Sequence, residues 1–110
     1  MTEIKCGILP WSQATSWPEL LETARRVDEL GYDSLWAWDH LYAIFGDPYQ
    51  PIFEGWSTLA AWAVATKRVR LGLLVGANTF RNPGLVAKNA ATLDHISNGR
   101  AILGIGGAWM

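Results

Sequence analysis

The strongest constraint on the fold is the regular alternation of short apolar runs with amphipathic helical segments along the chain. Four apolar runs, at residues 4–9, 34–38, 69–75 and 101–105, begin about every 30 to 36 residues, which is the size of a βαβ unit. This alternation favours a parallel sheet with right-handed crossovers. It does not distinguish an open doubly wound sheet from a barrel.

Helix-start and helix-stop signals separate these runs. Ser16 and Glu19 have the spacing of a capping box, and Gly31 predicts a left-handed stop after the first helix. A second helix is expected to begin near Glu54, and a third to close at residues 98–99. The sequence therefore predicts an α/β domain with four parallel strands and three helices.

Composition argues against several classes of partner. Lys plus Arg is 9 and Asp plus Glu is 10, and no basic cluster suggests nucleic acid or an anionic membrane. The apolar runs are far shorter than the ~20 residues of a membrane-spanning helix. The lone Cys6, expected to be buried in the first strand, cannot form an intrachain disulfide, and no signal peptide is evident. We expect a cytoplasmic protein.

Three other candidate sites are weak. Gly104, Gly106 and Gly107 follow a strand, but Trp109 stands where the dinucleotide fingerprint needs its third glycine. His95 falls on the third helix and is expected to be structural. No cluster of His, Cys and carboxylates has metal-ligand spacing, so no metal is expected.

Three longer segments carry a family pattern in matching order and spacing. They are residues 31–40 (GYDSLWAWDH), residues 70–83 (RLG continuing to NTFRNP) and residues 91–106 (ATLD through SNGR to LGIG). Together they resemble the luciferase-like monooxygenase superfamily, especially its deazaflavin-dependent members. The resemblance implies a (β/α)8 TIM barrel, of which residues 1–110 would form one incomplete domain: the first four strands and three helices, truncated before closure.

The resemblance also implies where the chemistry lies. Asp39 would contact a flavin-type ring and His40 would transfer a proton, since an imidazole titrates near neutrality. From residue types alone, the plainer interpretation is an Asp that caps a turn and a His bonded to backbone. A non-prolyl cis peptide is expected at Leu74–Val75 or one bond away. The remaining ring-binding residues implied by the family are Leu74, Val75, Gly76, Ala77, Asn78, Gly106 and Gly107.

The function implied is that of an oxidoreductase or monooxygenase that uses coenzyme F420 or FMN on a small organic substrate. The deazaflavin branch is somewhat favoured, but Trp109 stands where its sugar-phosphate dehydrogenases carry an acid. We expect the chain alone to be inactive, and to form a homo-oligomer or to need the missing barrel half. The alternatives are a non-catalytic half-barrel acting as an assembly or flavin-binding module, and an ordinary α/β domain whose match is accidental.

Overall fold

A computed structural model describes residues 2–109 as nine helices and strands in a βα alternation. Their bounds in chain order are β1 (Gly7–Ile8), α1 (Trp17–Glu29), β2 (Ser34–Ala37), α2 (Gly55–Ala65), β3 (Arg70–Leu73), β4 (Gly76–Ala77), α3 (Pro83–Ile96), β5 (Ala101–Ile102) and β6 (Ile105–Gly106). One parallel sheet has the order β1-β2-β3-β5, and a second parallel pair joins β4 to β6. The predicted α/β class with parallel strands is confirmed.

The third and fourth predicted strands are each broken in two, which corrects the expectation of four unbroken strands. The first break, at Leu74–Val75, separates β3 from β4, and the second, at residues 103–104, separates β5 from β6. The two breaks lie side by side, because the Gly76 N–H donates to the Gly104 carbonyl at 2.9 Å. The chain therefore has four successive strand regions, of which the third and the fourth are interrupted side by side.

The helix boundaries follow the local signals. Ser16 and Glu19 form the predicted capping box of α1, and Gly31 has a φ of +88°, the left-handed stop expected there. Glu54 caps α2 and Asn82 caps α3 through their side chains. These caps fix the N-termini of α2 and α3 next to the ends of the strands that precede them.

The hydrophobic core lies between the sheet and the three helices. Alternate residues of the strands point into it, and the most buried side chains belong to α2 and to the middle strands. The buried cluster consists of Leu20, Ala24, Val27, Leu35, Ala37, Trp56, Leu59, Trp62, Ala63, Val69, Leu71, Leu73 and Leu93. No helix within residues 2–109 is long and apolar enough to cross a membrane.

The Trp36 indole lies over both strands that flank β2. Ideal Cβ atoms at Gly7 and Gly72 would stand 2.8 Å and 2.9 Å from Trp36, so both neighbouring strands need glycine beneath this ring. The Trp36 indole N–H donates to the Ser34 hydroxyl at 2.9 Å. Cys6 is exposed, contrary to expectation, because it lies just before the edge strand β1, which has a neighbour on one side only.

Candidate active site

Asp39 follows β2 and is the most buried acidic group in the described chain. Its side chain is 1% exposed. Oδ2 accepts hydrogen bonds from the Ala77 N–H and from Nη1 of Arg81, and Oδ1 accepts one from Nη2 of Arg81, all at 2.7 Å. Burying a carboxylate is costly unless it is paired and hydrogen-bonded, and this one is both. Asp39 thus joins β2 to β4 and to the turn before α3, and it does not cap a turn.

Arg81 connects this carboxylate to a second one. Nη2 also donates to Oε1 of Glu54, whose other carboxylate oxygen accepts from the Ser57 N–H at 2.7 Å. The hydrogen bonds to Asp39 raise the pKa of Arg81, burial lowers it less, and the bond to Glu54 raises it further. Arg81 is therefore a fixed cation between two acids.

The pKa of Glu54 is lowered from its ordinary value. Burial acts to raise this pKa, but the hydrogen bonds from Ser57 and Arg81 outweigh it. Gly55 lets the N-terminus of α2 approach closely, since an ideal Cβ there would lie 3.0 Å from the Trp38 carbonyl and 3.2 Å from Oδ1 of Asp39. The end of β2 and the start of α2 consequently form one packed unit.

His40 lies on the wall of a cavity of about 370 Å³. Its imidazole is half-buried between two indoles: the ring centroids are 6.2 Å from Trp38 and 5.7 Å from Trp109, both edge-on. The cavity is lined by Asp39, His40, Leu74, Val75, Ala77, Phe80, Gly107, Ala108 and Trp109. The ends of β2, β3 and β6 thus meet at one rim, as expected for parallel strands.

The cis peptide predicted at Leu74–Val75 is present. Both side chains are about half exposed, and both line the cavity. An ideal Cβ at Gly106 would lie 2.4 Å from Cγ2 of Val75, so residue 106 must be small for Val75 to take this position. Gly106 thus leaves the space that the Val75 side chain occupies.

The cavity brings together six of the residues predicted for the site: Asp39, His40, Leu74, Val75, Ala77 and Gly107. It does not reach Gly76, Asn78 or Gly106. Gly76 and Asn78 instead border a small void beside Trp56 and Arg81. A direct contact between these three residues and a ring remains a prediction.

Sequence reasoning missed Arg81, Glu54 and Phe80. A signal for Arg81 was available, because a carboxylate at the end of a buried strand needs a cation. Arg81 is the one charged residue of the turn at residues 78–83. Glu54 and Phe80 carried no such signal, since their places depend on how α2 and this turn pack.

The cavity is suited to a flat, mostly apolar ring. Apart from Asp39, whose carboxylate oxygens are already hydrogen-bonded, the lining is aliphatic, aromatic or backbone, and Gly107 and Ala108 are small. Its volume lies in the usual range for small-molecule sites. Neither lysine nor arginine lines it within residues 2–109, so a phosphate tail would need groups beyond this wall. No three metal-ligating side chains cluster in that part of the chain.

Parallel βα units with a ligand-sized cavity at the carboxyl ends of the strands are typical of (β/α) barrel proteins. The sequence model of one such family, luciferase-like monooxygenase, matches residues 4–109. The chain belongs to the luciferase-like monooxygenase family, as its motifs indicated.

Known relatives include dehydrogenases and monooxygenases. An F420-dependent glucose-6-phosphate dehydrogenase from Amycolatopsis mediterranei (strain U-32) is 41% identical over 90 residues, which are 80% of this chain and 26% of the relative. The structure of an F420-dependent secondary alcohol dehydrogenase with an F420–acetone adduct superposes with a TM-score of 0.87 at 27% identity, covering 97% of this chain and 32% of that one.

A second structure shows the fold alone. It is a type II Baeyer-Villiger monooxygenase from Pseudomonas putida in complex with FMN, with a TM-score of 0.80 at 22% identity, covering 98% of this chain and 30% of that one. The chain thus spans about a quarter to a third of the proteins it matches. Relatives of this family use F420 or FMN, as the motifs implied.

Glu54→Gln is expected to alter the pH dependence of stability. The folded-state pKa of Glu54 lies below the reference value of 4.5, so its carboxylate contributes stability above that pH and loses it as pH falls through the lowered pKa. Wild type should exceed Glu54→Gln in unfolding free energy at neutral pH, by a margin that shrinks below about pH 4. Urea unfolding between about pH 3 and pH 7 measures this margin; a constant margin would contradict the assignment.

Proposed function

We propose that this chain forms the cofactor-facing part of a flavin- or deazaflavin-dependent oxidoreductase, with His40 as its proton-transfer residue. One observation carries the proposal: His40 and the Leu74–Val75 peptide line the same cavity at the ends of neighbouring strands. The activity belongs to a protein with a complete barrel, because this chain spans 26% of the curated dehydrogenase.

The residues that line the cavity would hold the cofactor ring and move a proton. A bound flavin or deazaflavin would supply hydride transfer or oxygen activation. The imidazole of His40 would take a proton from a substrate hydroxyl, or return one to a carbonyl, and the indoles of Trp38 and Trp109 pack edge-on against it. Leu74, Val75 and Ala77 form the surface against which the ring lies.

Asp39 is assigned a positioning role, unlike His40, which is assigned proton transfer. Both of its carboxylate oxygens already accept hydrogen bonds from Arg81 and Ala77. We therefore assign it the positioning of the wall, with any contact to the ring made from the rim of the cavity. Gly107 lines the cavity, and Gly76, Asn78 and Gly106, which do not line it, stay proposed as ring-binding residues.

Coenzyme F420 is the preferred cofactor of this proposal, and FMN is the second. Both the curated dehydrogenase and the alcohol dehydrogenase structure, each above 25% identity, are named as F420-dependent. The substrate is proposed to be a small organic alcohol or carbonyl compound. Around His40 the cavity wall is aromatic and aliphatic, which favours an uncharged reacting end. The cytoplasm is the proposed compartment, since the one cysteine, Cys6, is unpaired.

A second candidate function is a non-catalytic half-barrel that binds a flavin or assembles with another polypeptide. It is favoured by the apolar residues left exposed along the chain, including Leu9, Trp11 and Trp109 at 40%, 54% and 72%. We propose that the chain either forms a homo-oligomer or binds the rest of a barrel. If the chain forms a homo-oligomer, size-exclusion chromatography with light scattering should give a dimer or a larger species. A sharp monomer would contradict the homo-oligomer and leave binding to the rest of a barrel.

The cofactor proposal is tested by fluorescence titration of the chain with F420 and with FMN. We expect saturable quenching, and a loss of affinity of about tenfold or more in Val75→Glu, because this change puts a charge on the proposed ring surface. Val64→Glu is the matched control, since Val64 is 79% exposed on α2 and does not line the cavity. Quenching by neither cofactor, or equal losses in both variants, would refute the site.

A further inference from the structure

We infer that Arg81 is the positioning residue of the ring-binding wall, acting through Asp39 on the segment at residues 74–77. The inference rests on the proposed function, because it concerns the wall of the same cavity. Arg81 does not line that cavity. Any influence it has on a bound ring must pass through the residues it holds.

The first link is the guanidinium itself. Two parallel bonds of 2.7 Å join Arg81 to Asp39, and a further bond from Nη2 joins it to Glu54. The planar fork of arginine fits a carboxylate in two-point contact, and lysine cannot reproduce that contact. Because its side chain is only 11% exposed, water competes weakly for these bonds. Arg81 therefore fixes the end of β2, the start of α2 and its own turn in one arrangement.

The second link runs from Asp39 to the wall. β2 and β3 pair residue by residue until Ala37 faces Leu73, and the Leu74 N–H then donates to the Ala37 carbonyl at 3.0 Å. Beyond that point, the Ala77 N–H donates to Oδ2 of Asp39 at 2.7 Å. A side-chain carboxylate thus continues the attachment to β2 after the backbone ladder has ended.

On the side that faces β6, the wall is held by backbone hydrogen bonds. The Gly76 and Asn78 N–H groups donate to the carbonyls of Gly104 and Gly106 at 2.9 Å and 3.1 Å. Successive N–H groups of a strand point to opposite sides. The N–H group of Ala77 therefore points away from β6 and toward β2. Residues 74–77 are consequently held by β6 on one side and by the Arg81-oriented carboxylate on the other.

A second arginine provides a matched control for a purely structural role. The guanidinium of Arg100 donates to the carbonyls of Ala63, Thr66 and Val69, at distances from 2.8 to 3.1 Å. Like Arg81 it is partly buried, but it joins the end of α2 to the start of β3, and it does not line the cavity. Removing either arginine should lower stability, whereas only Arg81 should affect the wall.

The experiment compares Arg81→Met, Arg81→Lys and Arg100→Met in the full 110-residue chain. Folded samples are examined by amide NMR at residues 74–77 and by fluorescence titration with F420 and FMN. We expect Arg81→Met to shift the Ala77 amide strongly, to speed its hydrogen exchange and to weaken ring binding about tenfold. Arg81→Lys should recover part of both losses. Arg100→Met should leave the Ala77 amide and the affinity unchanged.

The two arms separate this inference from the proposed function. If neither cofactor binds the wild-type chain, the proposed function fails, while the Ala77 amide still tests the positioning role. An unmoved Ala77 amide in folded Arg81→Lys or Arg81→Met would overturn the inference even if the ring binds. So would equal changes at Ala77 in Arg81→Met and Arg100→Met. If Arg81→Met does not fold, Arg81→Lys decides by the same two readouts.

Discussion

His40→Ala, made in a protein that carries the complete barrel, is expected to lower the turnover rate by about 10²- to 10⁴-fold, the usual contribution of a positioned acid–base group. The half-buried imidazole of His40 lies on the cavity wall beside Leu74 and Val75. Among the side chains on this wall, its imidazole can both donate and accept a proton at the ring nitrogens. Without it, the proton must be exchanged with water, which is a weaker base than an imidazole and a weaker acid than an imidazolium.

The measurement separates binding from chemistry. Turnover is followed from the F420 absorbance or from oxygen uptake with FMN, and cofactor affinity is determined by titration of the same sample. We expect the affinity to change little, because Leu74, Val75 and Ala77 remain in place. His95→Ala is the matched control, since His95 is exposed on α3 away from the cavity, and its rate should equal wild type. Equal rates in both variants would remove His40 from the mechanism.

Local signals in the sequence predicted most of the fold. The capping box of Ser16 and Glu19 and the stop at Gly31 depend on residues only a few positions apart, and each is present in the structure. The parallel order follows from alternating strand and helix periods, which no distant contact needs to specify. The barrel architecture and the cis peptide at Leu74–Val75 were predicted from the family motifs. Periodicity alone could not distinguish a barrel from an open sheet.

The parts that could not be predicted depend on long-range contacts. Arg81 and Asp39 are 42 positions apart, and their pairing requires β2, β4 and the turn before α3 to be placed first. The broken strands are a second case: residues 69–75 and 101–105 are as apolar as continuous strands, and only the packing of Gly104 against β3 reveals the breaks. Glu54 likewise could be assigned as a helix cap, but not as a partner of Arg81.

Asp39 shows how a motif and its physical role can differ. The family pattern placed it in contact with a ring, and the residue does lie on the cavity wall. Its carboxylate, however, is occupied by one guanidinium and one backbone N–H. The adjacent Asp39 and His40 side chains at the end of β2 therefore make different contacts. The acid holds the backbone of the neighbouring strand, and the imidazole faces the cavity.

The close packing of Gly104 against Leu73 leads to a second prediction with a large expected effect, on stability. An ideal Cβ at Gly104 would lie 2.2 Å from the Leu73 carbonyl oxygen, a distance that no backbone contact permits. Gly104→Ala must therefore push residue 104, which lies between β5 and β6, away from the end of β3. Overpacking of this kind costs up to about 3 kcal/mol, and here the obstacle is backbone, which adjusts less readily than a side chain.

We expect Gly104→Ala to lower the unfolding free energy by about 3 kcal/mol in urea titrations. Gly107→Ala is the control, since an ideal Cβ there has no neighbour within 4 Å, and its stability should stay within about 0.5 kcal/mol of wild type. The damage in Gly104→Ala should also reach the cavity, because the Gly104 carbonyl accepts the Gly76 N–H of the wall. Equal stability of the two variants would mean that Gly104 does not pack against the Leu73 carbonyl as described. It would also remove the support on which the positions of Val75 and Ala77 depend.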